Sequence, residues 1–435
     1  MAGIFGVVSK EDCVEDLFKG TFYLQHRAQK YCGFGFIDNK GKPYNFTRHG
    51  LITVPQTKER ILDLKTNTAI GCVTGERQPV SDLSKMGGVI IGFDGNLINH
   101  EELKLDLLKE GVTFSGYNNP EEITDNVLVS KIITREKGFE KGIERLFDTI
   151  KGDFSIVCLA AEGIYAARGY GRKPLILGSK DGSYAVSSES NSFINSRIKI
   201  VRDVKPGEVV LMNHEGIHEV KQFDVDVKYG TFEWIYTSHP ASIVDGKSVS
   251  EVRKKIGALL HKRFPVEADI VSPLPNSGRW HSTGYAHESK IPHEEAFVRY
   301  DYSDRSFTQM NLIEQQREAD MKLIPIENTA NGNRIVLVDD SIVRGVQTKN
   351  QTTRLKEMGA KEVHGRIACP PLMAPCEFGK TTKKETDCIA RTMSVDEIRQ
   401  TRGFDTLGYA TIEDLEEAIG YGRDQLCLSC WDHQE

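Results

Sequence analysis

The stretch Ile335-Val336-Leu337-Val338-Asp339-Asp340-Ser341-Ile342-Val343-Arg344-Gly345 constrains this chain more than any other. Four apolar residues make a run of buried-strand length that stops at two adjacent carboxylates, a short turn and a glycine, ahead of a helical pattern over Lys349–Glu357 that ends at Gly359. Ile270–Ser272 and Val363–Ala368 read as further buried strands and Val249–Arg263 as a helix. Strands alternating with helices predict a parallel, doubly wound α/β sheet, whose ligand crevice lies at the carboxyl ends of the strands. The turn from Ser341 to Gly345 brings backbone N–H groups and the positive end of a helix to one point, which suits a terminal phosphate, and Gly345 lets the backbone close around it. Asp339 and Asp340 at the mouth suit the hydroxyls of a ribose. Bare acids would repel phosphate, so Mg²⁺ bridging to a diphosphate is expected there, held by Asp339 and Asp340 directly or through the substrate. The plain alternative is a helix N-cap with spare acids.

The first half reads differently. Short strands separated by Gly and Asn/Asp turns are predicted at Gly3–Val8, Tyr31–Ile37, Thr68–Val73, Gly88–Asp94, Ser155–Ala160, Gly163–Ala167, Leu175–Lys180 and Tyr184–Ser187. Helices with apolar spacings of three and four are predicted at Val14–Leu24, His100–Glu110 and Glu121–Glu136. Ile200–Val204, Lys205-Pro206-Gly207 and Glu208–Met212 read as a hairpin, and the polar run from His214 to Tyr229 as the connector to a second domain. The expected division is therefore 1–228 and 229–435, an α+β layered domain followed by the α/β one. At 435 residues each half is long enough for its own core.

The net charge of −6 and the absence of any long basic run argue against nucleic acid and anionic membranes as partners. No apolar stretch approaches the roughly 18 residues of a membrane span, and Met1-Ala2-Gly3-Ile4-Phe5-Gly6 lacks the marks of a signal peptide, so a cytoplasmic protein is expected. Nine scattered cysteines do not read as a disulfide framework.

The string from Ile335 to Gly345 resembles the diphosphoribosyl-binding fingerprint of type I phosphoribosyltransferases, and specifically that of the glutamine amidophosphoribosyltransferase family. The resemblance runs nearly end to end through Leu24-Gln25-His26-Arg27, Gly95-Asn96-Leu97, Val204-Lys205-Pro206-Gly207, Phe232-Glu233-Trp234-Ile235-Tyr236, Pro275-Asn276-Ser277-Gly278, Gly284-Tyr285-Ala286 and Arg305-Ser306-Phe307. It implies an N-terminal-nucleophile-type α/β/β/α layer sandwich followed by a phosphoribosyltransferase α/β domain. In the family the first hydrolyses glutamine, and the second uses the ammonia to displace diphosphate from C1 of the sugar. The resemblance places Asp339 and Asp340 on the ribose, Ser341, Ile342, Val343, Arg344 and Gly345 around the 5′-phosphate, Ser277 beside it, and Arg305 on a flap over the diphosphate. It also implies a homo-oligomer.

Several positions depart from the family pattern. Val346 and Gln347 stand where two Thr usually add hydroxyls to the cradle; Asn276 replaces an Asp, and Asp301 a basic flap residue. In the glutaminase half the nucleophilic Cys, exposed once Met is removed, is Ala2, and a methyl group forms no thioester. The oxyanion-stabilising Asn before Gly95 is Asp94, whose carboxylate would oppose a developing negative charge. The segment carrying the glutamine-binding Arg is replaced by the shorter Cys72-Val73-Thr74-Gly75-Glu76-Arg77-Gln78-Pro79, and the acidic pocket residue expected near Ile123 to Asn126 has no clear match, Asp125 being the candidate. These losses predict a pseudo-glutaminase, with Ala2, Asp94 and Gly95 marking the degenerate site. Ammonia would then come free or from an amidotransferase partner.

Cys427-x-x-Cys430 reads alone as a metal or cluster half-site, a redox pair or coincidence. One branch of the family holds a [4Fe-4S] cluster on four cysteines, and by resemblance Cys376, Cys427 and Cys430 match three of them, while the first position is Gly230. A cluster completed by Cys369 or Cys388, one with an open iron, a zinc site and plain reduced thiols all remain open. Two functions compete: a Mg²⁺-dependent phosphoribosyl transferase using ammonia or another nucleophile, and a regulatory pseudoenzyme that binds a phosphoribosyl metabolite, a nucleotide or a partner protein.

Overall fold

The computed structural model describes residues 1–38, 42–53, 61, 64–114, 119–300, 321–379 and 385–431. Its backbone gathers into two compact units: Met1–Gly230 with Ala241–Gly246 and Glu377–Lys380, and Thr231–Pro240 with Lys247–Cys376 and Thr381–Glu435.

The first unit runs β1 (Ala2–Val8), α1 (Val14–Phe22), β2 (Tyr31–Ile37), β3 (Pro43–His49), β4 (Thr68–Thr74), β5 (Val80–Ser84), β6 (Gly87–Leu97), α2 (His100–Lys109), α3 (Asp125–Thr134), α4 (Phe139–Thr149), β7 (Gly152–Ala160), β8 (Gly163–Arg168), β9 (Ile176–Lys180), β10 (Ser183–Ser187), β11 (Lys199–Asp203), β12 (Glu208–Asn213) and β13 (Gly216–Gln222). One sheet has the order β11-β9-β10-β1-β4-β2-β3 and the other β13-β12-β8-β7-β6-β5. Strand alternation explains the layering. In β1, Ile4 and Val8 join Ile70, Ile90, Val157 and Ile164 in the core between the sheets. Phe5 and Val7 point the other way, onto Val14, Leu17 and Phe34. On the far side Val89, Ile91 and Phe93 of β6 meet Leu103, Leu128, Ile132 and Leu146 from the helices. At roughly 1.5–3 kcal/mol per large apolar side chain removed from water, these three cores hold the α/β/β/α sandwich together.

Three local readings change here. The predicted hairpin at 200–212 is none: β11 pairs with β9 in one sheet, and β12 pairs with β8 and β13 in the other. Lys205-Pro206-Gly207 carries the chain between sheets. The polar connector after it is in part strand β13, whose alternating exposure is that of a sheet edge. The helix predicted from Glu121 begins at Asp125, after a single 3-10 turn at Pro120–Glu122.

The second unit contains α5 (Val249–Arg263), β14 (Ile270–Pro273), α6 (Arg279–Ser289), β15 (Phe297–Arg299), β16 (Leu323–Pro325), β17 (Arg334–Asp339), α7 (Val346–Glu357), β18 (Glu362–Ile367), α8 (Val395–Arg402), β19 (Thr406–Tyr409) and α9 (Ile412–Ile419). The sheet order is β14-β17-β18-β19, all parallel, with Ile270 opposite Ile335, Asp339 opposite Ile367 and His364 opposite Thr406. Buried on both faces, β17 is the continuous apolar run that a central parallel strand requires. Helices α5, α8 and α9 start at side-chain caps. Ser248 accepts from the Glu251 N–H, and Ser394/Glu397 and Thr411/Asp414 form capping boxes. No helix among the described residues is long and apolar enough to cross a membrane.

Candidate functional site

β17 delivers Asp339 and Asp340 to the carboxyl end of the sheet, where both are buried, at 9% and 6% exposure. The Asp339 carboxylate accepts from its neighbour's backbone N–H at 2.9 Å and from Ser277 Oγ at 3.2 Å. Asp340 Oδ2 accepts from Ser341 Oγ at 2.6 Å. Burial first, and then the Asp340 charge, push the Asp339 carboxyl well above the usual carboxylate range. Among the described residues no cation forms an ion pair with either acid. Ser277 follows β14 on the loop that also carries the cis Pro275-Asn276 peptide.

Beyond the acids the chain turns through Ser341, buried Ile342, Val343 and exposed Arg344 to Gly345. Gly345 caps α7 at φ 66°, a left-handed conformation in which a side chain is strained. The Val343 carbonyl accepts from the Ile389 N–H at 3.1 Å, which fastens the loop. Arg344 turns outward into a two-point pair with Asp387, Nε and Nη2 each 2.9 Å from a carboxylate oxygen. The predicted Ser277, Asp339 and Asp340 thus meet directly, with Ser341 to Gly345 following in one turn. Asp301 and Arg305, and the side chains of Val346 and Gln347, lie outside the described residues.

The acids fit a hard divalent cation. They are two adjacent oxygen donors, enclosed, without a protein counter-charge among the described residues, and one is driven toward its protonated form for want of it. The thiols do not fit a four-cysteine cluster. A Cβ at Gly230 would stand 2.4 Å from the Arg172 carbonyl oxygen, so the backbone has no room for a side chain where the first ligand is expected. The Cys376 and Cys430 segments are stitched together by Met373 and Ala374 N–H groups donating to the Cys430 carbonyl at 2.9 and 3.2 Å. The thiols share a hydrogen bond, and that bond, with burial, pushes Cys430 far up. Cys427 lies near and Cys369 is fully buried beside the acids, but no three His, Cys, Asp or Glu among the described residues are disposed to hold a metal.

In the first unit Ala2 is buried in β1, and its N–H donates to Asp94 Oδ1 at 2.7 Å. Arg27, wholly enclosed, donates Nε to the Ala2 carbonyl at 2.8 Å, Nη2 to Asp94 at 3.0 Å and Nη1 to Glu189 at 2.7 Å. Glu189 also accepts from Ser242 Oγ at 2.8 Å and faces His26 Nε2 at 2.8 Å. Burial works against both charged acids, yet Arg27 and Lys173 hold Asp94 below its ordinary value, and His26 and Arg27 do the same for Glu189. Gly95 continues β6 opposite Phe154. Asp125 is engaged by His100 Nδ1 at 2.6 Å and by the Leu97 N–H at 3.2 Å. Gln78 pairs its amide with both backbone groups of Phe93, at 2.7 and 3.0 Å. Sequence reasoning missed Glu189, whose only local mark is an acid set among four serines at 187–192.

Residues 65–195 match a glutamine amidotransferase domain. The amidophosphoribosyltransferase of Methanocaldococcus jannaschii is 34% identical over an alignment covering 99% of this chain and 96% of that protein. The chain belongs to the amidophosphoribosyltransferase family. The Archaeoglobus fulgidus amidophosphoribosyltransferase is 33% identical over 99% of this chain and 96% of its own length. The solved glutamine phosphoribosylpyrophosphate amidotransferase of Bacillus subtilis, complexed with ADP and GMP, superposes with a TM-score of 0.90 at 31% identity, covering 99% of this chain and 96% of that one. The family's fold is the one expected above: a glutamine amidotransferase domain followed by an α/β phosphoribosyltransferase domain with a parallel sheet.

Proposed function

We propose that this family member binds phosphoribosyl diphosphate with Mg²⁺ and transfers the phosphoribosyl group to ammonia or another nucleophile without hydrolysing glutamine. The observation that carries the reading is the buried Asp339–Asp340 pair at the end of β17, set directly before a glycine-capped turn into α7. The acids accept hydrogen bonds from the ribose hydroxyls, Ser277 orients Asp339, and the turn from Ser341 to Gly345 receives the 5′-phosphate. Asp339 and Asp340 would hold Mg²⁺, directly or through the substrate, and the ion would supply charge neutralisation for the leaving diphosphate. The nucleophile's lone pair forms the new bond at C1 as the C1–O bond breaks, the C1–O bonding pair leaves with the diphosphate, and an attacking ammonia sheds its extra proton to solvent.

The loss of glutaminase chemistry rests on Ala2 and on Asp94. The carboxylate of Asp94 accepts the N–H of residue 2 and pairs with Arg27, so the place expected for an oxyanion donor holds a structural anion. The division into 1–228 and 229–435 assigns these two roles to separate domains, acting in a homo-oligomer. A regulatory pseudoenzyme is the second reading, favoured by Asn276 and by the missing hydroxyls at Val346 and Gln347.

The test is incubation with phosphoribosyl diphosphate, Mg²⁺ and ammonium, following diphosphate, in parallel with glutamine, following glutamate. Diphosphate release above the uncatalysed rate with no glutamate is expected. No release with ammonium or simple amines sinks the transferase reading; tight binding without turnover then supports the regulatory one.

A further inference from the structure

The phosphate turn is short of positive charge. Arg344, its own cation, is engaged outward with Asp387, and the Ser341 hydroxyl is spent on Asp340. Among the described residues another cation reaches the turn from a separate element. Arg402 is the last residue of α8, and its carbonyl accepts from Thr352 Oγ1 of α7, which fixes the root of the side chain against that helix. From there the guanidinium reaches the turn. A Cβ on Gly345 would stand 2.5 Å from Arg402 Nε, and Nη2 donates to the Arg344 carbonyl at 3.4 Å. The same charge is felt at Tyr409, at the end of β19, where it partly opposes the upward push of burial and Cys369.

Among the described residues no carboxylate pairs with Arg402, and its Nε is enclosed without a hydrogen-bond partner. An enclosed guanidinium N–H without an acceptor is unfavourable, and a phosphate oxygen is the acceptor that suits its planar fork. We propose that Arg402 is a 5′-phosphate-binding residue of this chain, supplying from α8 the charge-assisted contact that the turn itself does not. This rests on the phosphoribosyl reading of the acids and the turn.

Calorimetry on the full chain with Mg²⁺ tests it, using phosphoribosyl diphosphate, ribose 5-phosphate and diphosphate as probes against wild type, Arg402→Met and Arg402→Lys. Arg402→Met is expected to weaken both 5′-phosphorylated sugars at least tenfold while diphosphate alone stays within twofold, and Arg402→Lys to recover part of the loss. Circular dichroism establishes that each variant folds. A folded Arg402→Met that binds ribose 5-phosphate as wild type does overturns the role of Arg402 alone. Wild type that binds neither phosphorylated sugar overturns this role and the phosphoribosyl reading together. Should Arg402→Met not fold, Arg402→Lys decides: a threefold or greater loss specific to the 5′-phosphate supports the role, and unchanged affinity overturns it.

Discussion

Two sets of enclosed acids, Asp94 with Glu189 and Asp339 with Asp340, are treated in opposite ways. Asp94 and Glu189 share one buried guanidinium, that of Arg27, and their other oxygens are met by Ala2 and Ser242. Both carboxyls are held below their ordinary values. Asp339 and Asp340 are about as deeply enclosed, but they receive only uncharged donors among the described residues, and Asp339 is pushed up. A buried charge whose partner lies within the fold is architecture. One whose partner is missing invites a ligand that brings it. The comparison assigns structure to the first unit's acids and binding to the second's.

The largest effect that can break this comparison is expected at Arg27. Arg27→Met takes from two buried carboxylates the guanidinium they share, leaving only Lys173 near Asp94 and His26 on Glu189, at a cost of about 3–5 kcal/mol, the penalty of breaking a buried ion pair from one side. Chemical denaturation should show it as a marked fall in the midpoint. A loss under 1 kcal/mol means the network is not what holds β1 and β6 together.

At the other pair the sign on stability reverses. Asp339→Asn removes one of two like charges and should leave the folded state as stable or slightly more so. Diphosphate release should nevertheless fall about a hundredfold, the usual scale for deleting one charged group that positions and stabilises a reacting substrate. Equal activity in Asp339→Asn removes the acids from the reaction; a large loss of stability would make them structural after all.

Protons separate the two pairs more finely. Asp94 and Glu189 have depressed values when folded, so their contribution is complete above the unfolded values and is lost only as pH falls below them. For Asp339 the folded value is raised, so the folded state holds the proton more tightly and stability declines as pH rises from the unfolded value toward the folded one. Moving from pH 7.5 to 5 without Mg²⁺ should therefore stabilise the second unit and leave the first unit's Asp94–Arg27–Glu189 network unchanged. Hydrogen exchange, read separately over β17 and β1, distinguishes them, and Asp339→Asn should abolish the gain. Slower exchange in β1 but not β17 at pH 5 would contradict the assignment.

What could be read from sequence follows from how local each feature is. β17, the acids and the turn are contiguous, so an apolar run meeting Asp-Asp and Gly already contains the strand, the mouth and the helix start. Helix α5 was legible for the same reason, with Val249, Val252, Ile256 and Leu260 on one face. The supposed hairpin at 200–212 failed because a Pro-Gly turn looks alike whether the strands beside it pair with each other or diverge into two sheets. Arg27 stood out in sequence as part of a segment carrying the family resemblance, yet its partner Glu189 lies 162 positions away. Arg402 likewise reaches a glycine 57 positions upstream, a meeting that only the packing of α8 on α7 arranges.

The smallest expected effect asks whether the proposed loss of glutaminase chemistry rests on one residue or on the charge pattern around it. Ala2→Cys restores a thiol at the position of the family nucleophile, and on the reading above it should release no glutamate beyond background. Asp94 still accepts the residue-2 N–H and still carries a full negative charge beside the place where an oxyanion would form. Ala2→Cys with Asp94→Asn removes that opposition, though Arg27 then keeps Glu189 as its only charged partner of the two. Glutamate release by the double variant and not by the single one would locate the block in the Asp94 charge. Release by Ala2→Cys alone would show that the ion network tolerates the chemistry, and the proposed loss of glutaminase activity would then rest on residue 2 and not on the Asp94 charge.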